Sequence, residues 1–344
     1  MGLFSRGSCS SLLLRIGSTK NAFSSLTVDR QMTSSQFPSS SSDHGSQHSA
    51  AGTGVLEGEV VQDPRAYIQE QRSRYRLVQE LFQAPTPVSI YMIGVIALVY
   101  LWCLFVDYRL VGEFALNPNM SVYYGANWAP PVHAENEWWR LLSSVFFHGG
   151  MLHILFNGYA IYILAPTVER LSGGARLFII MIAAGIGGSV ASLLWSDAPS
   201  VGISGAVFGL VGALLGITRK FRSYLPDKMA VNIRRGMIQI ALINLAIGFM
   251  IPMIDNAAHI GGFVTGFVVA MLLNSRLNET PMALKRAKAY ALALAVLSAW
   301  SLVMAFGEWR ECGQSELGYF GCYAEYGLFG DLAVEDLRPT SIPE

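Results

Sequence analysis

Four polar side chains stand inside stretches that are otherwise apolar: His153, Asn157, Ser204 and His259. Within hydrocarbon a polar group gives up water it cannot replace, so such positions are functional candidates by default. Each also has a structural role open to it. His153 and Asn157 can hydrogen-bond between helices, and Ser204, set in Gly202-Ile203-Ser204-Gly205, can be one more small residue at a helix contact. The chemistry these types could do together is acyl transfer. A Ser hydroxyl against an imidazole is the minimal nucleophile–base pair, and such a site also needs donors for the developing oxyanion. His153 and Asn157, four residues apart, share one helical face. The backbone N–H of Ser204 would be unpaired at a helix start, where the dipole favours negative charge. His148 falls on a different face from His153 and is assigned only the ordering of the outer end of that helix. Asp255, four residues before His259, could sit one turn above it, but with Asn256 it suits a helix cap. The expectation is a Ser–His dyad, with Ser204 and His259 within hydrogen-bond reach.

The elements that must position these groups follow from composition. The chain has 344 residues, 52% hydrophobic and 14% charged, whereas soluble domains carry about 25% charged residues. Seven apolar segments, near 88–106, 150–167, 177–196, 202–218, 236–254, 257–274 and 288–306, approach the roughly 20 residues that cross a bilayer. This predicts an all-α membrane protein, a bundle of six transmembrane helices plus a seventh C-terminal helix, with the lipid bilayer as its surroundings. Zero net charge leaves no electrostatic footprint for nucleic acid. Cys9, Cys103, Cys312 and Cys322 have no zinc-ligand spacing.

Basic residues set the orientation. Arg170 and Arg176 follow the second span, Arg219, Lys220, Arg222, Lys228, Arg234 and Arg235 the fourth, and Arg276, Lys285, Arg286 and Lys288 the sixth. The connections between spans three and four and between five and six have no basic residue, which places the N-terminus on the cytosol-like side. Ser204 and His259 then both start spans at the outer face, at similar depth. Gly205, Gly209, Gly212 and Gly216 make one smooth stripe on span four, and Gly262, Gly266 and Ala270 share a face with His259 on span six. Two such stripes allow close backbone approach.

The ends are polar. Residues 1–62 are Ser-rich and basic, expected to be disordered as a targeting peptide or a cytosolic tail. Residues 63–87 form an amphipathic segment suited to the membrane surface. The long connection 107–149, with Trp128, Trp138, Trp139 and Pro130-Pro131, is apolar enough to be ordered at the outer interface. Residues 88–275 make the catalytic domain, 286–306 the extra span and 307–344 an outer tail. In that tail Cys312 and Cys322 are either a disulfide or two thiols.

From about Trp138 to Gly266 the chain resembles the rhomboid family of intramembrane serine proteases. Trp139-Arg140 is similar to the family's Trp-Arg pair, and His148, His153 and Asn157 to its His-x4-His-x3-Asn pattern. Gly202-Ile203-Ser204-Gly205 is similar to Gly-x-Ser-Gly, and Ala258-His259-Ile260-Gly261-Gly262 with Gly266 to the motif of span six. Glu169-Arg170 resembles the structural acidic–basic pair after span two. The resemblance implies a serine endopeptidase acting on transmembrane protein substrates, with no metal or organic cofactor. Ser204 would be the nucleophile and His259 its base. Asn157, His153 and the Ser204 N–H would stabilise the oxyanion, with Gly202 holding that loop open. Trp139, Arg140, Gly205, Gly262 and Gly266 would be structural. A seventh span after the core is similar to the secretase-type members and implies the secretory pathway or plasma membrane. The alternative is a plastid or other organelle membrane reached through an N-terminal targeting peptide.

Overall fold

Apolar runs without water must satisfy their backbone internally, and a helix does this within one segment. The computed structural model describes residues 64–111, 125–196, 198–251 and 253–312, without the side chains at 106–111 and 308–312. The Ser-rich segment 1–62, Cys322 and the side chain of Cys312 lie outside the described residues. The helices are α1 (Pro64–Gln83), α2 (Pro87–Val111), α3 (Ala129–Ala134), α4 (Arg140–Ser143) and α5 (Met151–Ser172). They continue as α6 (Gly174–Trp195), α7 (Ser204–Lys220), α8 (Asp227–Met250), α9 (Asn256–Leu272) and α10 (Pro281–Cys312). Among the described residues there is no strand beyond one isolated bridge between Asn127 and Ser200. The protein is an all-α bundle, and among the described residues six helical stretches are long and apolar enough to cross a membrane.

Seven of these helices match the seven apolar segments, but their ends differ. The fifth begins at Asp227 rather than 236, the seventh at Pro281 rather than 288, and the first runs on to Val111 rather than 106. Hydropathy sees only the apolar centre of a helix. Lys228, Arg234, Arg235, Lys285, Arg286 and Lys288 are good or tolerable helix formers that carry it past that centre. The fourth, α7, has 17 residues and rises about 26 Å. It is enclosed by its neighbours instead of lying against lipid: twelve of its residues are buried, against four of the 24 in α8.

Glycine makes the central contact possible. A Cβ on Gly262 would overlap the carbonyl oxygen of Gly205, and one on Gly266 the carbonyl oxygen of Gly209. A Cβ on Gly216 would come within 2.9 Å of the Phe267 carbonyl oxygen. Helices α7 and α9 therefore touch backbone to backbone, which only small residues allow.

The ends of the helices are tied by polar groups. The buried Glu169 carboxylate of α5 accepts from the Val88 and Ser89 N–H groups at 3.0 and 2.8 Å and from Ser89 Oγ at 2.6 Å. It thereby caps the start of α2 with a charge that the helix dipole favours. Arg170 donates to the Ala84 carbonyl and lies over the Phe82 ring, fixing the α1–α2 link. Lys220 Nζ donates to the Met271 and Leu273 carbonyls at 2.6 and 2.9 Å, closing the end of α9. Helix α1 is docked by Tyr67 Oη and Gln71 Nε2, which donate to the Asp227 carboxylate at 3.1 and 3.0 Å.

Candidate active site

Ser204, His259, His153 and Asn157 lie near the starts of α7, α9 and α5, at the end of the bundle opposite Lys220 and its ties. The turn before Ser204 is held from outside the helix. Asn127 and Ser200 exchange backbone hydrogen bonds at 3.0 and 2.8 Å, and the Asn127 side chain donates to the Ser189 carbonyl at 2.8 Å. Gly202 N–H donates to the Ser144 carbonyl at 2.9 Å. Gly202 has φ +121°, which L side chains rarely adopt. Helix α7 then starts at Ser204, with no side chain capping its first N–H groups, so the donors there are open to an anion.

Gly202 marks where three elements converge. A Cβ on it would lie 2.6 Å from His153 Cε1, 2.8 Å from His153 Nε2 and 3.6 Å from Asn157 Nδ2. The rings and amide of α5 therefore pack directly on the turn that carries Ser204. Asn157 is 6% exposed and its Nδ2 has no hydrogen-bond partner. A buried amide donor without an acceptor is costly in a folded protein. Aimed toward Gly202, it is a donor waiting for an oxygen.

His259 is buried, and its ring stacks on Phe208, with centroids 4.1 Å apart and planes 11° apart. Phe208 is four residues after Ser204, on the same face of α7. The stack brings the imidazole to the Ser204 face, but among the described residues no hydrogen bond joins Ser204 to His259. The hydrogen bond expected between them is thus not formed in this structure. Asp255 does not orient the imidazole. Its carboxylate accepts from the Ala258 N–H at 2.9 Å and caps α9, and His259 Nδ1 is buried without a partner.

His148 departs from its expected separation from His153. It precedes the first turn of α5, so helical spacing does not apply, and its ring meets His153 edge-on with centroids 5.2 Å apart. Its Nδ1 lies 3.2 Å from the Phe146 carbonyl. Burial, with the neighbouring His153, pushes its pKa down to about 3.

Trp139 and Arg140 sit in the first loop. Arg140 is buried in an ion pair with Glu137 and lies 4.8 Å from the centroid of the Trp139 ring. Glu137, Asn127, Ser144 and Phe208 are contributors the sequence reading passed over. Phe208 carried a usable signal, its four-residue spacing from Ser204. The others are joined to their partners only by tertiary structure.

Residues 135–276 match the model of the Rhomboid domain. The rhomboid protease GluP of Bacillus subtilis (strain 168) is 41% identical over 157 residues, 46% of this chain and 30% of that protein. RHOMBOID-like protein 2 of Arabidopsis thaliana is 37% identical over 178 residues, 48% of this chain and 55% of that one. A further Bacillus subtilis protein of rhomboid type, YdcA, is 34% identical over 145 residues, and the chain covers 69% of its length. The chain belongs to the rhomboid family. The rhomboid domain contains His153, Asn157, Gly202, Ser204, Phe208 and His259, together with Trp139 and Arg140. Asn127 and helices α1, α2, α3 and α10 lie outside it. The chain spans 30% and 55% of the length of GluP and RHOMBOID-like protein 2.

Proposed function

We propose that this rhomboid protein is an intramembrane serine endopeptidase that cuts peptide bonds within or near transmembrane segments of membrane proteins, using Ser204 and His259. The observation that carries the reading is the convergence on the Ser204 turn. His153 and the unpartnered Asn157 amide pack against Gly202, while His259 stacks one helical turn away on Phe208. In acyl transfer, Ser204 Oγ attacks the scissile carbonyl carbon and its proton passes to the His259 imidazole. The oxyanion is held by Asn157 Nδ2, His153 and the Ser204 N–H, donors that sit where charge develops and need no reorganisation. His259 returns the proton to the leaving amine, and a water deprotonated by His259 then releases the acyl group. The same reading gives a lipid-embedded partner, a single-span protein presented near the outer face. The span after the core supports a secretory-pathway or plasma membrane.

The test is a fluorophosphonate probe on protein purified in detergent. Wild type is expected to label at one site, Ser204→Ala not at all, and His259→Ala at a rate lower by on the order of 10²–10⁴. Undiminished labelling of Ser204→Ala would put the nucleophile elsewhere.

A further inference from the structure

Helix α10 lies outside the rhomboid domain match, yet it packs against α6 and against α4 of the first loop. Its buried face is narrow and made of small residues, Ser298, Ser301 and Ala305, the last two with no exposed surface. Leu297, Trp300 and Val303 face outward. At the outer end Phe306 meets Trp102 of α2, ring centroids 4.2 Å apart. The contact that matters is one residue earlier. A Cβ on Gly125 would lie 3.1 Å from the Ala305 methyl, 2.7 Å from the Trp139 ring and 2.5 Å from Ser143 Oγ. Gly125 has φ +96°, so this point of the first loop is closed on three sides and strained for any other residue.

From that point two short connections reach the Ser204 turn. Ser143 Oγ donates to the Gly125 carbonyl at 2.8 Å, and the carbonyl of the next residue, Ser144, accepts from Gly202 N–H at 2.9 Å. Two residues after Gly125, Asn127 pairs with Ser200. The first loop is thus a wedge. One side rests on α10 through Ala305, and the other holds the backbone at Ser200 and Gly202.

We infer that the seventh helix is a positioning element of the catalytic centre, acting through the Ala305–Gly125 contact to hold the Ser204 turn in register with Asn157 and His259. This rests on the proposed protease reading. Ala305 touches no reacting atom; its effect passes through the loop. Close packing transmits such a shift because there is no void to absorb it, and a displacement of about 1 Å at the reacting atoms costs on the order of 10²-fold in rate.

The experiment measures cleavage of a model single-span substrate in proteoliposomes, with active sites counted by fluorophosphonate labelling taken to completion. The variants are Ala305→Ser, Ala305→Val, Ala305→Leu, Ser204→Ala and, on the exposed face, Val303→Leu. Ala305→Val and Ala305→Leu are expected to lower kcat per labelled site progressively, by on the order of tenfold or more for Leu, with KM unchanged. Val303→Leu should match wild type, and Ala305→Ser should fall between wild type and Ala305→Val. Should Ala305→Leu not accumulate as folded protein, Ala305→Val carries the test. A fall in the number of labelled sites with kcat per site unchanged would mean that α10 supports folding only, and would overturn the inference. Cleavage by Ser204→Ala would instead refute the protease reading and leave a distinct signature.

Discussion

Gly202→Ala is the most informative single substitution. The added methyl would lie 2.6 and 2.8 Å from two ring atoms of His153, about 0.6–0.8 Å inside ordinary van der Waals contact. Gly202 also sits at φ +121°, where a non-glycine residue costs on the order of 1–3 kcal/mol. The backbone cannot relax freely, because Gly202 N–H is held by Ser144 and Ser200 is paired with Asn127. The ring therefore has to give, and Asn157, on the same face of α5, moves with it. Losing one oxyanion donor raises the barrier by about 3–4 kcal/mol, which at about 1.4 kcal/mol per decade is on the order of 10²–10³ in kcat. The assay is steady-state cleavage in detergent, with thermal denaturation of the same samples. The expected result is a fall in kcat of that size with KM little changed, and a melting temperature lower by a few degrees. His153→Ala added to Gly202→Ala should recover part of the lost melting temperature and none of the rate, since it removes the collision and a donor together but leaves the strain at φ +121°. Activity within about twofold of wild type would refute the reasoning, because the α5 donors would not be braced on the Ser204 turn.

Two further outcomes follow from the packing. Gly262→Val forces a side chain onto the Gly205 carbonyl and should destabilise the protein by about 3 kcal/mol or more, read as a loss of folded protein in an SDS titration. Wild-type stability would mean that α7 and α9 are not in backbone contact. Glu169→Ala strips the cap from α2, leaving two backbone N–H groups and Ser89 Oγ without their acceptor. It should cost about 3 kcal/mol in the same titration while leaving kcat per folded molecule unchanged. A stability change below about 0.5 kcal/mol would exclude this carboxylate as the tie between α5 and α2.

The parts of this structure legible in sequence are those whose signal is local. A glycine every three or four residues on two apolar helices has few other uses, so the α7–α9 contact could be read from Gly205 to Gly216 and from Gly262 to Ala270. Seven apolar segments gave the helices, and the basic residues beyond them obscured where α8 and α10 begin. What stayed hidden depends on partners distant in the chain. Glu169 reads as half of a local Glu-Arg pair, but its carboxylate serves Val88 and Ser89, about eighty positions earlier. Arg140 reads as half of a Trp-Arg pair, but its buried charge is met by Glu137, which the motif does not include. His148 illustrates a wrong period: helical spacing separates it from His153, but the helix begins at Met151 and the two rings touch. The Ser204–His259 relation lies between these cases. Shared depth came from the basic loops, while the stack on Phe208 that sets the imidazole's position needed coordinates.

Cleavage of a single-span substrate in proteoliposomes by wild type, Ser204→Ala and His259→Ala, at matched amounts of folded protein, tests the central claim most directly. Product is expected from wild type alone, with both variants lower by on the order of 10⁴ or more. Equal product from wild type and either variant would contradict it.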